Sequence, residues 1–331
     1  MRDLVETAIE LSGRGTDAAL ALVADTEGAC YRERGAMALF DAHGARAGSL
    51  SPSFHDHRIE EAARRVLALG HAQDLRLDAH ESERAPAATA AQPLMHLLVL
   101  PIPAHASPLR EAMASACSAS AWLRVRINPG ADDANRSGLG SGEARIGSAV
   151  FTFDRSGLAC PGPMAFQRYI SLALAPPPRI LLAGVAAETP ALAQIARLLG
   201  WYVELVEHRS EFSAYREIGR IDQHHLLPAE ELQALLSARH YDAAIVGSHD
   251  FATDASYLRH LAGAGIGYIG LLGTPERRDA LLAQLGDIIA TQLEPRLYAP
   301  AGMRLGGEGP EAVALAVVAQ LQHYLAHDAH A

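Results

Sequence analysis

Arg179–Gly184 reads RILLAG, an apolar run that ends on a glycine, and Glu207 closes a second apolar run, Trp201–Val206. Strand, glycine turn, helix, strand and acidic residue, in that order, is the plan of a dinucleotide-binding unit. It commits this stretch to a parallel sheet with crossover helices. The turn itself reads Gly184-Val185-Ala186-Ala187-Glu188 and not G-x-G-x-x-G. A Cβ at Ala186 obstructs the backbone's approach to a pyrophosphate, and Glu188 puts negative charge at the helix start, where an anion would bind. The spacing predicts the fold, while the turn argues against NAD(P) or FAD as ligand.

The surrounding texture supports two domains. Ala175-Pro176-Pro177-Pro178 is a stiff linker that no sheet interior accepts. It divides a domain over residues 1–174 from one over residues 180–331, with 175–179 between them. Beyond the prolines, strands are expected at Ile180–Ala183, Trp201–Val206, Ala243–Val246 and Gly267–Leu271. They alternate with helices at Pro190–Leu199, Ala229–Ala238, Asp254–Ala262, Pro275–Leu285 and Pro310–Ala326. That alternation predicts a Rossmann-like, doubly wound α/β domain. Thr189-Pro190 and Thr274-Pro275 read as N-cap and first-turn pairs. Before the prolines the chain is mixed and β-rich. Strands are expected at Ala18–Ala24, Gly35–Phe40, Ala45–Ser51, Leu94–Leu100, Ala121–Ile127, Val150–Phe153 and Tyr169–Leu174. Helices are expected at Leu4–Leu11, Arg58–Leu69 and Pro108–Ser118, and Asn128–Gly147 reads as a loop.

A length of 331 residues fits two domains, and the net charge of -10 without a basic stripe disfavours a nucleic-acid binder. No apolar run reaches the ~20 residues of a membrane span, and Met1–Glu10 lacks the apolar segment of a signal peptide. Cys30, Cys117 and Cys160 are odd in number and show neither zinc nor disulfide spacing, so a reduced, cytoplasmic protein is the simplest fit.

Several segments of the second half carry a resemblance. Pro176–Arg179 (PPPR), Leu198–Phe212 (LLGWYVELVEHRSEF), Ser248-His249-Asp250, Tyr268–Arg278 (YIGLLGTPERR) and Tyr298–Glu311 (YAPAGMRLGGEGPE) occur in an order and spacing that resemble the XdhC/CoxI family. In the first half, Leu22–Met37 and Gly48–Ser51 resemble the family's opening domain. The resemblance implies an accessory protein, a chaperone without turnover of its own. Such a protein binds molybdenum cofactor (molybdopterin), assists maturation of a xanthine dehydrogenase-type molybdenum hydroxylase, and forms a homodimer. The chain also departs from the family. Phe54 and Ala90-Ala91-Gln92-Pro93 stand where cysteines are expected, Ala186 and Ala187 replace a glycine and a histidine, and Phe251 replaces a second histidine. Two rivals stay open, a nucleotide-dependent oxidoreductase and a scaffold that has lost its ligand.

The candidate site residues fall at expected strand ends, where open α/β sheets place ligands. Gly184 marks the first turn. Glu207 and Arg209 offer a ribose acceptor and a phosphate partner, against a solvated turn with an Arg209–Glu211 pair. Ser248, His249 and Asp250 offer an acid or base near neutral pH, against a helix-capping loop. Gly270, Gly273 and Arg278, with Arg277 beside it, offer an anion cradle, against tight strand–helix packing, and Arg304 is the cation of the following loop. Metal readings are weak. His55-Asp56-His57 would present two imidazoles on one face of a strand, and His323, His327 and His330 fall in the terminal helix and tail. Gly138–Gly147 imitates a phosphate loop without its lysine and reads as a flexible loop.

Overall fold

The computed structural model describes residues 1–50, 53–78, 94–129, 138–160, 169–209 and 221–327, with only the backbone of 53–56. The chain divides into two compact units, Met1–Pro176 and Pro177–Ala331, so the break falls inside the proline run.

The first unit contains α1 (Arg2–Gly13), β1 (Ala18–Glu27), β2 (Met37–Asp41), β3 (Gly44–Ala47), α2 (Ser53–Leu69), β4 (Gln73–Asp78) and β5 (Leu94–Ile102). They are followed by α3 (Pro108–Ala119), β6 (Leu123–Ile127), β7 (Gly142–Ile146), β8 (Ala149–Phe153) and β9 (Ile170–Leu174). Among the described residues these strands form two antiparallel sheets, ordered β3-β2-β1-β5-β4 and β8-β7-β6-β9. The run Ala18–Ala24 is buried throughout because β1 is central and covered on both faces. On one face Ile59, Ala62, Ala63 and Val66 of α2 pack with Ala19, Ala21, Val23, Leu97 and Val99. On the other, Leu4, Val5 and Ala8 of α1 and Met113 of α3 line a small cavity with Leu20, Leu39 and Ile102.

The second unit contains β10 (Arg179–Ala183), α4 (Thr189–Leu198), β11 (Tyr202–Glu207), β12 (Gln223–Leu226), α5 (Leu232–Ala238), β13 (Ala243–Val246) and α6 (Phe251–Ala262). Then come β14 (Tyr268–Leu271), α7 (Pro275–Leu285), α8 (Asp287–Leu293), β15 (Leu297–Tyr298) and α9 (Pro310–His327). All pairings of the sheet are parallel and its order is β12-β11-β10-β13-β14-β15. Counted from β10, this is the 3-2-1-4-5-6 order of a dinucleotide-type doubly wound sheet. The core strands are continuous apolar runs because helices cover both faces. Residues of α4 and α9 pack on one face with Ile180, Leu182 and Val203, and residues of α5 to α8 pack on the other with Leu181, Ala183 and Ala244. No helix among the described residues is long and apolar enough to cross a membrane.

The expected α/β class and its Rossmann-like second half stand, and several local readings change. The loop expected over Asn128–Gly147, including the flexible phosphate-loop mimic Gly138–Gly147, contains β7. There Ala144 is buried and Glu143 is held by arginines, so a Gly- and charge-rich segment still forms a ladder. His55-Asp56-His57 opens α2 and is not a strand, so positions two apart diverge around the helix. β4, β12, β15 and α8 are elements that the sequence patterns did not lead us to expect. The Phe54 side chain, Ala90–Pro93, Glu211 and His330 lie outside the described residues.

Candidate functional site

β10 and β13 are neighbours although a strand pair separates them in sequence, so the crevice at their carboxyl ends is the topological switch point. Gly184 follows β10 with φ of +92°, and a Cβ there would lie 2.5 Å from Ser248 Cα and Cβ. Only glycine permits that approach. Its role here is to let the β10 and β13 turns pack on each other.

The amides of the β10 turn are already engaged. Val185 N–H donates to Glu207 Oε2 (2.9 Å), and Ala186 N–H donates to Thr189 Oγ1 (2.9 Å). Thr189 therefore closes the turn behind it and is the first residue of α4, where an N-cap was expected. Glu207 is fully buried. Its carboxylate accepts from the His208 and Arg209 amides and from Arg209 Nε and Nη2, each at 2.9 Å. Burial alone would raise its pKa; the Arg209 and Val185 hydrogen bonds outweigh that and bring it to about 2. Glu207 and Arg209, expected to face a ligand or a solvated turn, instead bind each other and the glycine turn.

The β13 turn is built differently. Ser248 is buried, and both its amide (2.9 Å) and its hydroxyl (2.6 Å) donate to Asp254 Oδ1. Arg277 Nη2 donates to Asp254 Oδ2 at 2.7 Å, with its guanidinium over the Phe251 ring. Asp250 is the N-cap of α6, accepting from Thr253 N–H at 2.8 Å. That bond holds its carboxyl below the ordinary value, with smaller help from His208 and Arg209. His249 is left exposed, with φ of +61° and no hydrogen bond to a described residue. A non-glycine residue in the left-handed region is uncommon and costs roughly 1–2 kcal/mol. Such outliers concentrate at functional sites.

The remaining candidates form an adjoining group. Gly270 lies inside β14, where a Cβ would meet Ile245 Cδ1 at 2.8 Å and Ala301 Cβ at 3.2 Å, so close packing accounts for it. Gly273 has φ of +139° and leads into α7, capped by Thr274, whose hydroxyl accepts from Arg277 N–H. Arg278 binds Asp279 (2.8 Å) and the Ala299 carbonyl (3.2 Å). The loop after β15 is strapped down by Gln320 of α9, whose Oε1 accepts from Gly302 N–H (2.8 Å) and Tyr268 Oη (2.7 Å). Arg304 on that loop is exposed.

Sequence reasoning missed Thr189 and Asp254, the two side chains that lock the turns. Their only signal is position, three residues after Ala186 and six after Ser248. It also missed Glu204, fully buried in mid-β11 and bound by Arg179 (2.6 Å), Arg239 (2.8 Å), Tyr241 (2.8 Å) and His225 (2.9 Å). Around the switch point, Glu188 Oε2, Tyr257 Oη and Arg277 Nε are buried without a hydrogen-bond partner among the described residues. No group of three metal-ligating side chains occurs among the described residues.

Residues 180–321 match the XdhC Rossmann domain, and residues 11–78 match the XdhC and CoxI family. A Bacillus subtilis protein described as a probable subunit of xanthine dehydrogenase is 29% identical over 146 residues, which is 44% of this chain and 42% of that protein. The match thus spans less than half of that relative. A crystal structure described as a xanthine dehydrogenase from Bacillus halodurans aligns with a TM-score of 0.77 at 21% identity, covering 99% of this chain and 97% of that one. At that identity the likeness speaks for the fold.

Proposed function

The chain belongs to the XdhC and CoxI family, and from that premise we propose that it is an accessory protein of a xanthine dehydrogenase-type molybdenum hydroxylase. In this reading it binds molybdenum cofactor at the switch point of its second unit and passes it on. The observation that carries the reading is the contrast between the two turns. The amides that a dinucleotide pyrophosphate would need are held by Glu207 and Thr189, while the strained, exposed His249 stands free at the same crevice.

The residues present fit a pterin better than a dinucleotide. Glu188 bears a buried acceptor without a donor, and the pyrimidine edge of a pterin presents N–H donors to a carboxylate. His249, and Arg304 on its loop, supply cationic or donor groups for a single terminal phosphate. The cofactor would supply the redox metal centre to the receiving enzyme, and this chain would hold it and limit its access to water. Its working unit would be a cytoplasmic homodimer, which light scattering on the purified chain tests.

The deciding experiment is a thermal-shift titration of the full chain with molybdenum cofactor, NAD, NADP and FAD. A ligand that binds only the folded state raises Tm by mass action. The expected result is a shift with molybdenum cofactor alone, lost in His249→Ala. A shift with a dinucleotide would favour the oxidoreductase reading, which the 3-2-1-4-5-6 strand order otherwise supports. No shift with any of the four would leave the scaffold reading.

A further inference from the structure

The β8-β7-β6-β9 sheet has one face turned to the core and one turned outward. Leu123, Val125 and Ile127 of β6 point inward and are buried, so Trp122, Arg124 and Arg126 point outward by the two-residue alternation of a strand. Ala144 is buried on β7, which turns Glu143 and Arg145 outward beside them. The register sets Arg126 opposite Glu143 and Arg124 opposite Arg145. Glu143 grips Arg145 with both carboxylate oxygens (3.0 and 3.1 Å) and reaches Arg126 at 3.4 Å. Tyr169, just before β9, carries the Arg126 guanidinium 4.9 Å above its ring.

Three guanidiniums and one carboxylate give this face a charge of +2 on a chain whose net charge is -10. Directly opposed like charges destabilise a sheet, and Arg124 makes no hydrogen bond to a described residue that would compensate. Trp122 and Tyr169 remain 47% and 48% exposed within the same face. Exposed aromatic side chains beside arginines are the composition of interface hot spots.

We infer that the outer face of this sheet docks an extended acidic segment of a partner protein. Its carboxylates would lie on Arg124, Arg126 and Arg145, and its apolar side chains on Trp122 and Tyr169. Arg124 and Arg126 are two residues apart, about 7 Å along the strand, which is the spacing of side chains on one face of an extended peptide. Arginine binds carboxylates in a bidentate fork. A nucleic acid fits less well, because its affinity grows with the number of phosphates neutralised. Three cations on an acidic chain offer few.

The test titrates the full chain at low salt with a synthetic peptide of alternating glutamate and alanine, and separately with oligothymidylate of equal charge. Tryptophan emission is the readout, since Trp201 is buried and Trp122 is the exposed indole. The peptide is expected to give a saturable change, weakened at least about tenfold by Arg124→Glu, a difference of about 1.4 kcal/mol. Arg259→Glu, an exposed site in the other unit, should leave it unchanged. Arg124→Glu places opposite charges across the ladder from Arg145, so lost binding would not reflect a weakened sheet. No saturable change, an Arg124→Glu variant that binds like the parent, or oligothymidylate binding as tightly as the peptide would each overturn the proposal.

Discussion

At the end of β10, turn amides are bound by side chains of the same domain, and the acidic residue that could read a ribose is buried beneath them. At the end of β13, one residue further into an equivalent turn, the side chains on either side of His249 are engaged and His249 is not. The two turns touch, since Gly184 packs against Ser248. Equivalent positions in one sheet thus carry opposite chemistry. One turn is closed from within, and the other holds an unpaired imidazole outward at a conformational cost. Strand order alone would assign both to a dinucleotide. The hydrogen bonds at each turn separate them.

Gly184→Ala attacks the contact on which the comparison depends. It adds left-handed strain to a Cβ collision with Ser248, and should destabilise the domain by about 4 kcal/mol in chemical denaturation. A loss below about 1 kcal/mol would mean that the turns do not pack as described.

Glu207→Gln tests the closed turn. Removing one partner of a buried charged pair should cost about 3 kcal/mol. The same carboxylate predicts acid sensitivity. Its pKa is lowered from 4.5 to about 2 on folding, so its contribution is present above pH 4.5 and is lost as pH falls towards 2. The parent should therefore show a steeper fall in stability over that window than Glu207→Gln. Matching pH profiles would remove Glu207 from its assigned role.

Asp250→Ala removes the α6 cap and should cost about 1 kcal/mol, with Tm as the readout. The smallest expected effect is the most discriminating. His249→Gly relieves the left-handed strain at φ of +61° and should raise stability by up to about 1 kcal/mol, while abolishing the molybdenum-cofactor shift. A variant that gains stability and keeps the ligand shift would show that the open turn has no part in binding.

Much of the second unit was legible because buried parallel strands are continuous apolar runs, as in RILLA and AAIV, and Thr-Pro and Gly mark the turns between them. β12 was not, because Gln223–Leu226 reads QHHL and is a strand only through its pairing with β11. β15 spans two residues and carries no period. β7 was hidden because glycine and charges read as loop until Arg126 and Arg145 are placed on either side of Glu143. At the candidate site, Ala186 and Glu188 already argued against a phosphate. The order of residues could not reveal that Glu207 turns back onto Val185, since a carboxylate at a strand end looks the same whether it faces a ribose or its own backbone.

Glu207 can also be viewed as a competitor tethered to its own receptor. A free anion approaching the β10 turn must displace a carboxylate that cannot diffuse away, so the contest is set by effective concentration and barely by dose. Raising a nucleotide's concentration would do little to open that turn. Shortening or neutralising one side chain would do far more, which places selectivity against abundant cellular dinucleotides in a single intramolecular bond.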